Sequence, residues 1–327
     1  MSRHRRRKDL RLSRIANVAC VACVAALFCG PPLAIAVPGD VVGLVDISGD
    51  GRAIFVECRG SGSPTVVLMA GKGNGVDDWL QILAPDDPEH DAPGDNLPFG
   101  HGDLIHSSEA VLPAIARFTR VCAYDRPDVR MGGSDISTPR AQPHSVDLDV
   151  DDLHALLTAL GEPAPYVLVA HSYSGLIADL YARMHPETVG ALVMVDAVSE
   201  QMADVVNPAA LANWDASNAT TSDQVREGVL LIDAFGRIAA APGLPAVPAV
   251  VLSADKPWRT DLLPESARQG EQVTFADWLV AQDRLAAAIG AGHITETHSG
   301  HDIYLYSPAL VVEAIRDVVA QVTRVHG

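Results

Sequence analysis

Ser172 stands in Ala170-His171-Ser172-Tyr173-Ser174, a serine with small residues two places before and two places after it. A short apolar run, Val167 to Val169, leads into it, and Leu176, Ile177, Leu180 and Tyr181 follow at helical spacing. A strand that turns so sharply into a helix forces its central residue into a strained backbone conformation, and only small neighbours pack there. The hydroxyl is then held at a helix N-terminus, where the dipole favours developing negative charge. Such a serine becomes a nucleophile when a base takes its proton, an acid orients the base and donors receive the oxyanion. Ser299-Gly300-His301-Asp302 offers the base, lying after the final strand-like run and before a closing helix. A loop there can reach back to the serine, and Gly300 lets it bend. His293 and His298 are weaker candidates, because both fall in or at the edge of the strand-like run.

The elements that must position these groups alternate along the chain. Two strand-like runs, 41–47 and 52–58, flank an Asp-Gly turn that signals a hairpin. A third, 65–69, ends in the loop Ala70-Gly71-Lys72-Gly73-Asn74-Gly75. Helical spacing at Val111, Ile115 and Phe118 precedes a strand at Val121, and a helix is expected over 149–160. The strand before Ser172 and its helix come next, then strands at 191–195 and 249–252. A helix over 275–289, a short run over 293–297 and a closing helix over 308–322 complete the order. Strands alternating with helices predict an α/β fold, a mostly parallel sheet covered on both faces. Two segments break the rhythm. Residues 84–110, rich in Pro, Gly, Asp and His, read as an inserted loop, and residues 198–247, with helical patches at 225–235, read as a small cap over one end of the sheet.

With these stretches in order, the chain resembles the α/β-hydrolase superfamily, close to its esterase-like group. The resemblance covers roughly residues 41 to 325 and is carried by the Ala-His-Ser-Tyr-Ser turn, Val66 to Gly71, Arg120 to Arg126 with Gly132-Gly133-Ser134, and Gly300-His301 with the helix after it. It implies that the backbone N–H groups of Tyr173 and Lys72 form the oxyanion hole, and that the chain order is serine, acid, histidine. Two positions serve as the acid in this superfamily. The usual one, after the strand at 249–252, puts Pro257 in register, with Asp255 two residues early. The other follows the preceding strand and holds Asp196, which is favoured over Asp255 on that register.

The export reading rests on residues 1–36. Seven Lys/Arg lie within Met1 to Arg14, an apolar stretch runs from Ile15 to Phe28, and Ala34-Ile35-Ala36 offers a cleavage site. This is the pattern of a signal peptide, with an N-terminal anchor as the alternative. Cleavage leaves residues 37–327 as one hydrolase domain with no stable membrane span, placed outside the cell or in its envelope. That part keeps 17 basic and 40 acidic side chains, a formal −23 against −17 for the whole chain. So acidic a surface repels nucleic acid and offers no electrostatic grip on anionic lipid. Cys58 and Cys122 lie in strand-like runs and are disulfide candidates in an oxidising compartment, with two buried thiols as the alternative.

The Gly71-to-Gly75 loop lacks the Gly-Lys-Ser/Thr ending of a phosphate-binding loop. The Asp/His-rich insert matches no zinc or EF-hand spacing, so its acids read as solvated and no metal is expected. Serine chemistry requires no cofactor. The expectation is hydrolysis of a carboxylic ester through an acyl-enzyme, the small-molecule substrate carrying an apolar part against Trp214, Leu230, Leu231 and Phe235. Acyl transfer, thioester or amide hydrolysis on the same serine, and a non-catalytic ligand-binding homologue, are the alternatives.

Overall fold

The structure, a computed structural model, describes residues 39–97, 102–129, 136–262, 265–268 and 270–326. The export segment at 1–36, Gly132-Gly133-Ser134 and His101 lie outside the described residues.

The strands and helices run β1 (Val41–Asp46), β2 (Ala53–Arg59), β3 (Thr65–Met69), β4 (Gln81–Leu83), β5 (Leu104–His106), α1 (Val111–Ile115), β6 (Val121–Asp125), α2 (Val146–Leu160), β7 (Tyr166–His171) and α3 (Ser174–Met184). Then follow β8 (Val189–Val195), α4 (Met202–Val205), α5 (Pro208–Ala219), α6 (Leu231–Ala239), β9 (Ala249–Leu252), α7 (Phe275–Ile289), β10 (Gly292–Ile294), α8 (Ile303–Tyr306) and α9 (Pro308–His326). Eight strands form one sheet in the order β1-β2-β6-β3-β7-β8-β9-β10. β1, β2 and β6 pair antiparallel and the remaining neighbours pair parallel.

Burial follows from position in the sheet. β1 alternates half-buried and exposed residues, as an edge strand with one wet face does. β3, β6, β7 and β8 are buried throughout. Alternate residues of β7 feed two cores. Leu168 and Ala170 join Leu153 and Leu157 of α2 and Leu176 and Leu180 of α3. Val167 and Val169 join Leu112 and Ile115 of α1 and Val311, Ile315 and Val318 of α9. β3 lies between β6 and β7, so the chain leaves it first to one side and then to the other. The carboxyl ends of β3 and β7 therefore flank a point where strand order reverses, the place where α/β sheets open a crevice for ligands.

The helix expected at 149–160 begins at Val146 and ends at Gly161 with φ 66°. Residues 225–230, expected to be helical, are extended instead: His144 donates its N–H to Gly228 O at 3.0 Å, and Val229 bridges to His144. Those backbone groups are satisfied by the neighbouring chain, so the helix starts only at Leu231. The segment 84–110 holds more than a loop, because β5 pairs antiparallel with β4. Its acids are not all solvated either. Asp87, Glu89 and Asp95 are buried, and Asp87 accepts the N–H groups of Glu89 and Asp103. Short acidic side chains that close turns on themselves explain the difference. Cys58 and Cys122 are register partners on β2 and β6 and form a disulfide.

Candidate active site

β7 ends and α3 begins around Ser172, whose φ of 51° is the left-handed conformation that few non-glycine residues adopt. Its carbonyl accepts the N–H groups of Gly175 and Val198, which locks the turn. A side chain on Gly175 would put its Cβ 2.4 Å from the Val198 carbonyl, so the turn can pack against β8 only with glycine there. Ser174 is fully buried, and its hydroxyl donates to the Ala70 carbonyl.

His301 follows β10 and precedes α8. Its Nδ1 lies 2.6 Å from Asp196 Oδ2. Asp196 is fully buried just beyond β8, with φ 43°, and its other oxygen accepts the Ala254 N–H and the indole N–H of Trp278, each at 2.9 Å. Asp255 does not meet His301. It accepts the N–H groups of His298 and Ser299 at 3.0 and 2.9 Å, and so shapes the loop that carries the histidine. Burial alone would lower the His301 pKa, but the hydrogen bond and charge of Asp196, with Asp302 and Asp95 behind it, push it up to about 9.

With Nδ1 committed to Asp196, Nε2 is the ring nitrogen left for a proton from Ser172. Both residues line one cavity of about 270 Å³. Among the described residues no direct hydrogen bond joins them, which is common where the bond tightens only around substrate. Trp214 of α5, Trp258 and Trp278 of α7 wall the same cavity, with Val198, Leu231 and Val273. Trp214 and Trp258 each meet Trp278 edge to face, at 6.2 and 5.6 Å between ring centroids. Of the apolar residues expected to roof the site, Trp214 and Leu231 line it. Phe235 is buried among the cap helices and the core below.

Lys72 and Tyr173 lie in the loops that leave β3 and β7, and among the described residues neither backbone N–H donates to another group. Gly71 presses on the turn at Ser172. A Cβ there would fall 2.9 Å from His171 Nδ1 and 3.1 Å from Ser172 Cβ. His171 is buried, which holds its pKa well below the usual value, and its Nε2 lies 3.1 Å from the His301 carbonyl.

Two positioning groups escape sequence reasoning. Trp278 is one; in a helical run it reads as an ordinary core residue. Asp95 is the other. It is fully buried, accepts the His301 N–H at 2.6 Å and the Tyr306 hydroxyl at 3.0 Å, and so pins the loop of His301 from within the insert. Gly300 was the available signal: a Cβ there would fall 2.1 Å from Asp95 Cγ.

The same residue types meet at a second place. Ser253 Oγ lies 2.6 Å from His293 Nε2, whose Nδ1 is 3.2 Å from Asp283. Ser253 is only 1% exposed, has ordinary backbone and directly follows β9, so this trio ties β10 to the end of β9. A possible ligand set for a metal, His144, Asp149 and Glu227, is buried and close. Arg140 already pairs with Asp149 and Arg126 with Glu227, and guanidinium groups in those positions repel a cation.

Residues 99–239 match a family model described as alpha/beta hydrolase fold. An uncharacterized protein of Schizosaccharomyces pombe is 33% identical over 174 residues, which is 51% of this chain and 30% of that protein. Lipase LipV of Mycobacterium tuberculosis is 35% identical over 78 residues, 23% of this chain and 30% of that protein. The chain spans between 21% and 45% of the length of the curated relatives it matches. Among solved structures, a candidate lipase from Acinetobacter baumannii superposes with a TM-score of 0.51 at 15% identity, covering 88% of this chain and 93% of that one. A candidate aryl esterase from Burkholderia cenocepacia gives 0.50 at 16% identity, covering 87% and 99%. These two share the fold.

Proposed function

We propose that this chain, which belongs to the α/β-hydrolase superfamily, hydrolyses carboxylic esters through an acyl-enzyme on Ser172. One observation carries the reading: a buried carboxylate, Asp196, grips His301 Nδ1 at 2.6 Å, while His301 shares a cavity with a serine in strained backbone. Ser172 Oγ attacks the ester carbonyl carbon and its proton passes to His301 Nε2. The resulting oxyanion is met by the Lys72 and Tyr173 N–H groups. The tetrahedral intermediate collapses, and His301 returns the proton to the departing alcohol. Water then repeats the sequence on the acyl-enzyme, giving up a proton to His301 and releasing the acid with Ser172 restored. The Asp196 carboxylate, held at Nδ1, stabilises the imidazolium that forms.

The aromatic walls favour a substrate with an apolar part, and the lipase relative matched over 78 residues fits that preference. The test is a series of p-nitrophenyl esters from two to twelve acyl carbons. We expect kcat/KM to rise with chain length to an optimum; equal values on short polar and long apolar esters would contradict the apolar part. Excess alcohol that diverts product without changing the acylation rate would instead indicate acyl transfer. Export is part of the same proposal. It is supported by the basic, apolar and small-residue pattern of residues 1–36 and by the Cys58–Cys122 disulfide, which suits an oxidising compartment. Among the described residues no helix is long and apolar enough to cross a membrane.

A further inference from the structure

Lys72 lies in a loop of no regular structure, yet its N–H must point at one spot for an oxyanion to form there. The peptide group that contains this N–H also contains the Gly71 carbonyl. In a trans peptide the two point in opposite directions. Whatever grips Gly71 O therefore aims Lys72 N–H.

Two donors grip that carbonyl: the Asn74 N–H at 3.1 Å, from within the loop itself, and Arg126, just beyond β6 and 1% exposed. Its Nη2 donates to Gly71 O at 2.6 Å, and its Nη1 to Ala70 O at 2.8 Å and to Ser174 Oγ at 3.0 Å. A guanidinium so deeply buried needs a counter-charge. Glu227 supplies it, fully buried, accepting Nε–H at 2.7 Å and Nη2–H at 3.0 Å. The same Oε2 accepts the Gly73 N–H at 2.7 Å, on the far side of Lys72. One Arg–Glu pair thus holds the chain on both sides of the oxyanion donor.

Glu227 belongs to the cap, in the extended stretch before α6. Its neighbour Gly228 donates its N–H to Gln142 Oε1 at 2.8 Å, and Val225 lies where a side chain on Gly73 would have to go, 3.0 Å from the Cβ position. We infer that Glu227 is a positioning residue for the oxyanion site, acting through Arg126 and Gly73, so that the cap completes the catalytic machinery as well as roofing the pocket. The inference rests on the ester-hydrolase reading above.

The test uses the full chain and two substitutions that a purely structural ion pair would treat differently. Glu227→Gln removes the charge and leaves Arg126 unpaired in the interior. The double variant Arg126→Met/Glu227→Met removes both charges, a change that buried pairs often tolerate, and serves where the single variant does not fold. Asp147→Asn, which breaks the half-exposed Arg237–Asp147 pair between α6 and α2, controls for general loosening of the cap. The measurements are thermal unfolding, kcat and KM on a p-nitrophenyl ester, and Ki for an aryl trifluoromethyl ketone. Addition of Ser172 Oγ to that ketone leaves an oxyanion in the same site, with the serine proton on His301.

For folded Glu227 variants we expect kcat to fall ~10²-fold, the scale of losing one oxyanion donor. KM should stay within about threefold, ketone binding should weaken by a factor similar to that in kcat, and the Asp147→Asn enzyme should keep its kcat. A folded Glu227 variant with kcat within threefold of wild type, or with its loss confined to KM, overturns the inference while leaving the hydrolase reading intact. Wild-type protein that neither turns over esters nor binds the ketone overturns both.

Discussion

Replacing Asp196 by Asn removes one charge and keeps the shape of the side chain, which makes it the sharpest probe of how His301 is tuned. In the structure Asp196 Oδ1 serves two donors, the Ala254 N–H and the Trp278 indole N–H, while Oδ2 serves His301. An asparagine keeps its oxygen toward the two fixed donors and turns its NH₂ toward His301 Nδ1. Nδ1 must then accept, so the ring proton moves to Nε2, the nitrogen that has to be free for Ser172. The same exchange in the serine-protease triad costs ~10⁴ in kcat, about 5 kcal/mol of transition-state stabilisation, and we expect a loss of that order here.

The pH profile gives a second readout. In wild type the imidazole is raised to about 9, so only a minor fraction is neutral and able to act as a base at pH 7. The value of kcat/KM should therefore climb about tenfold per pH unit and level off near 9. Without the anion, burial is left as the leading influence, and the midpoint of the variant should fall to or below the ordinary histidine value of about 6.5. Stability carries the same sign. Since the folded pKa is raised, the His301–Asp196 pair contributes on the order of 3 kcal/mol, fully present below about 6.5 and lost as pH rises through about 9. The stability gap between wild type and variant should narrow correspondingly in alkali. The assay is p-nitrophenyl ester hydrolysis from pH 6 to 10.5, beside urea unfolding at pH 6 and 9.5. A variant that retains a tenth of wild-type kcat with an unmoved midpoint would refute the assignment of Asp196.

Three further outcomes are expected. Gly300→Ala drives a methyl group onto the Asp95 carboxyl, so kcat should drop at least tenfold with ~1–3 kcal/mol of overpacking cost; wild-type rate and melting temperature would show that the insert does not press on the His301 loop. Trp278→Phe deletes an N–H donor to Asp196 and should lower kcat about tenfold at pH 9, where His301 is half neutral, and unchanged kcat would show that the indole only fills the wall. Removing the Cys58–Cys122 bridge, by reductant or by double alanine substitution, should cost ~2–4 kcal/mol of stability in urea unfolding, as expected for a bridge across 64 residues. Identical curves with and without reductant would contradict a structural bridge.

The meeting of Ser172 and His301 in one cavity was legible because each position depends on local features: a small-x-Ser-x-small turn between strand and helix, and a Gly-His loop after the final strand. The alternating strands and helices were legible for the same reason. Asp196 was harder. Choosing it over Asp255 needs the relative depth of β8 and β9, which pairing sets and spacing only suggests. Glu227 and Trp278 could not be read at all, and Asp95 only through Gly300. Each acts across 82 residues or more of sequence, on a partner brought to it by the sheet or the cap. Their side chains look like a solvated acid, a loop acid and a core indole until that contact exists. Residues 225–230 are extended rather than helical for a related cause: both backbone groups of Gly228 bond to residues 142 and 144, far away in sequence.

The central claim is that Ser172 is a nucleophile activated by His301. Intact-mass analysis after incubation with a fluorophosphonate tests it most directly, on wild type, Ser172→Ala and His301→Ala. The account predicts one adduct on wild type, none on Ser172→Ala and labelling slowed at least 10²-fold on His301→Ala. No adduct on wild type, or equal labelling of wild type and Ser172→Ala, would contradict it.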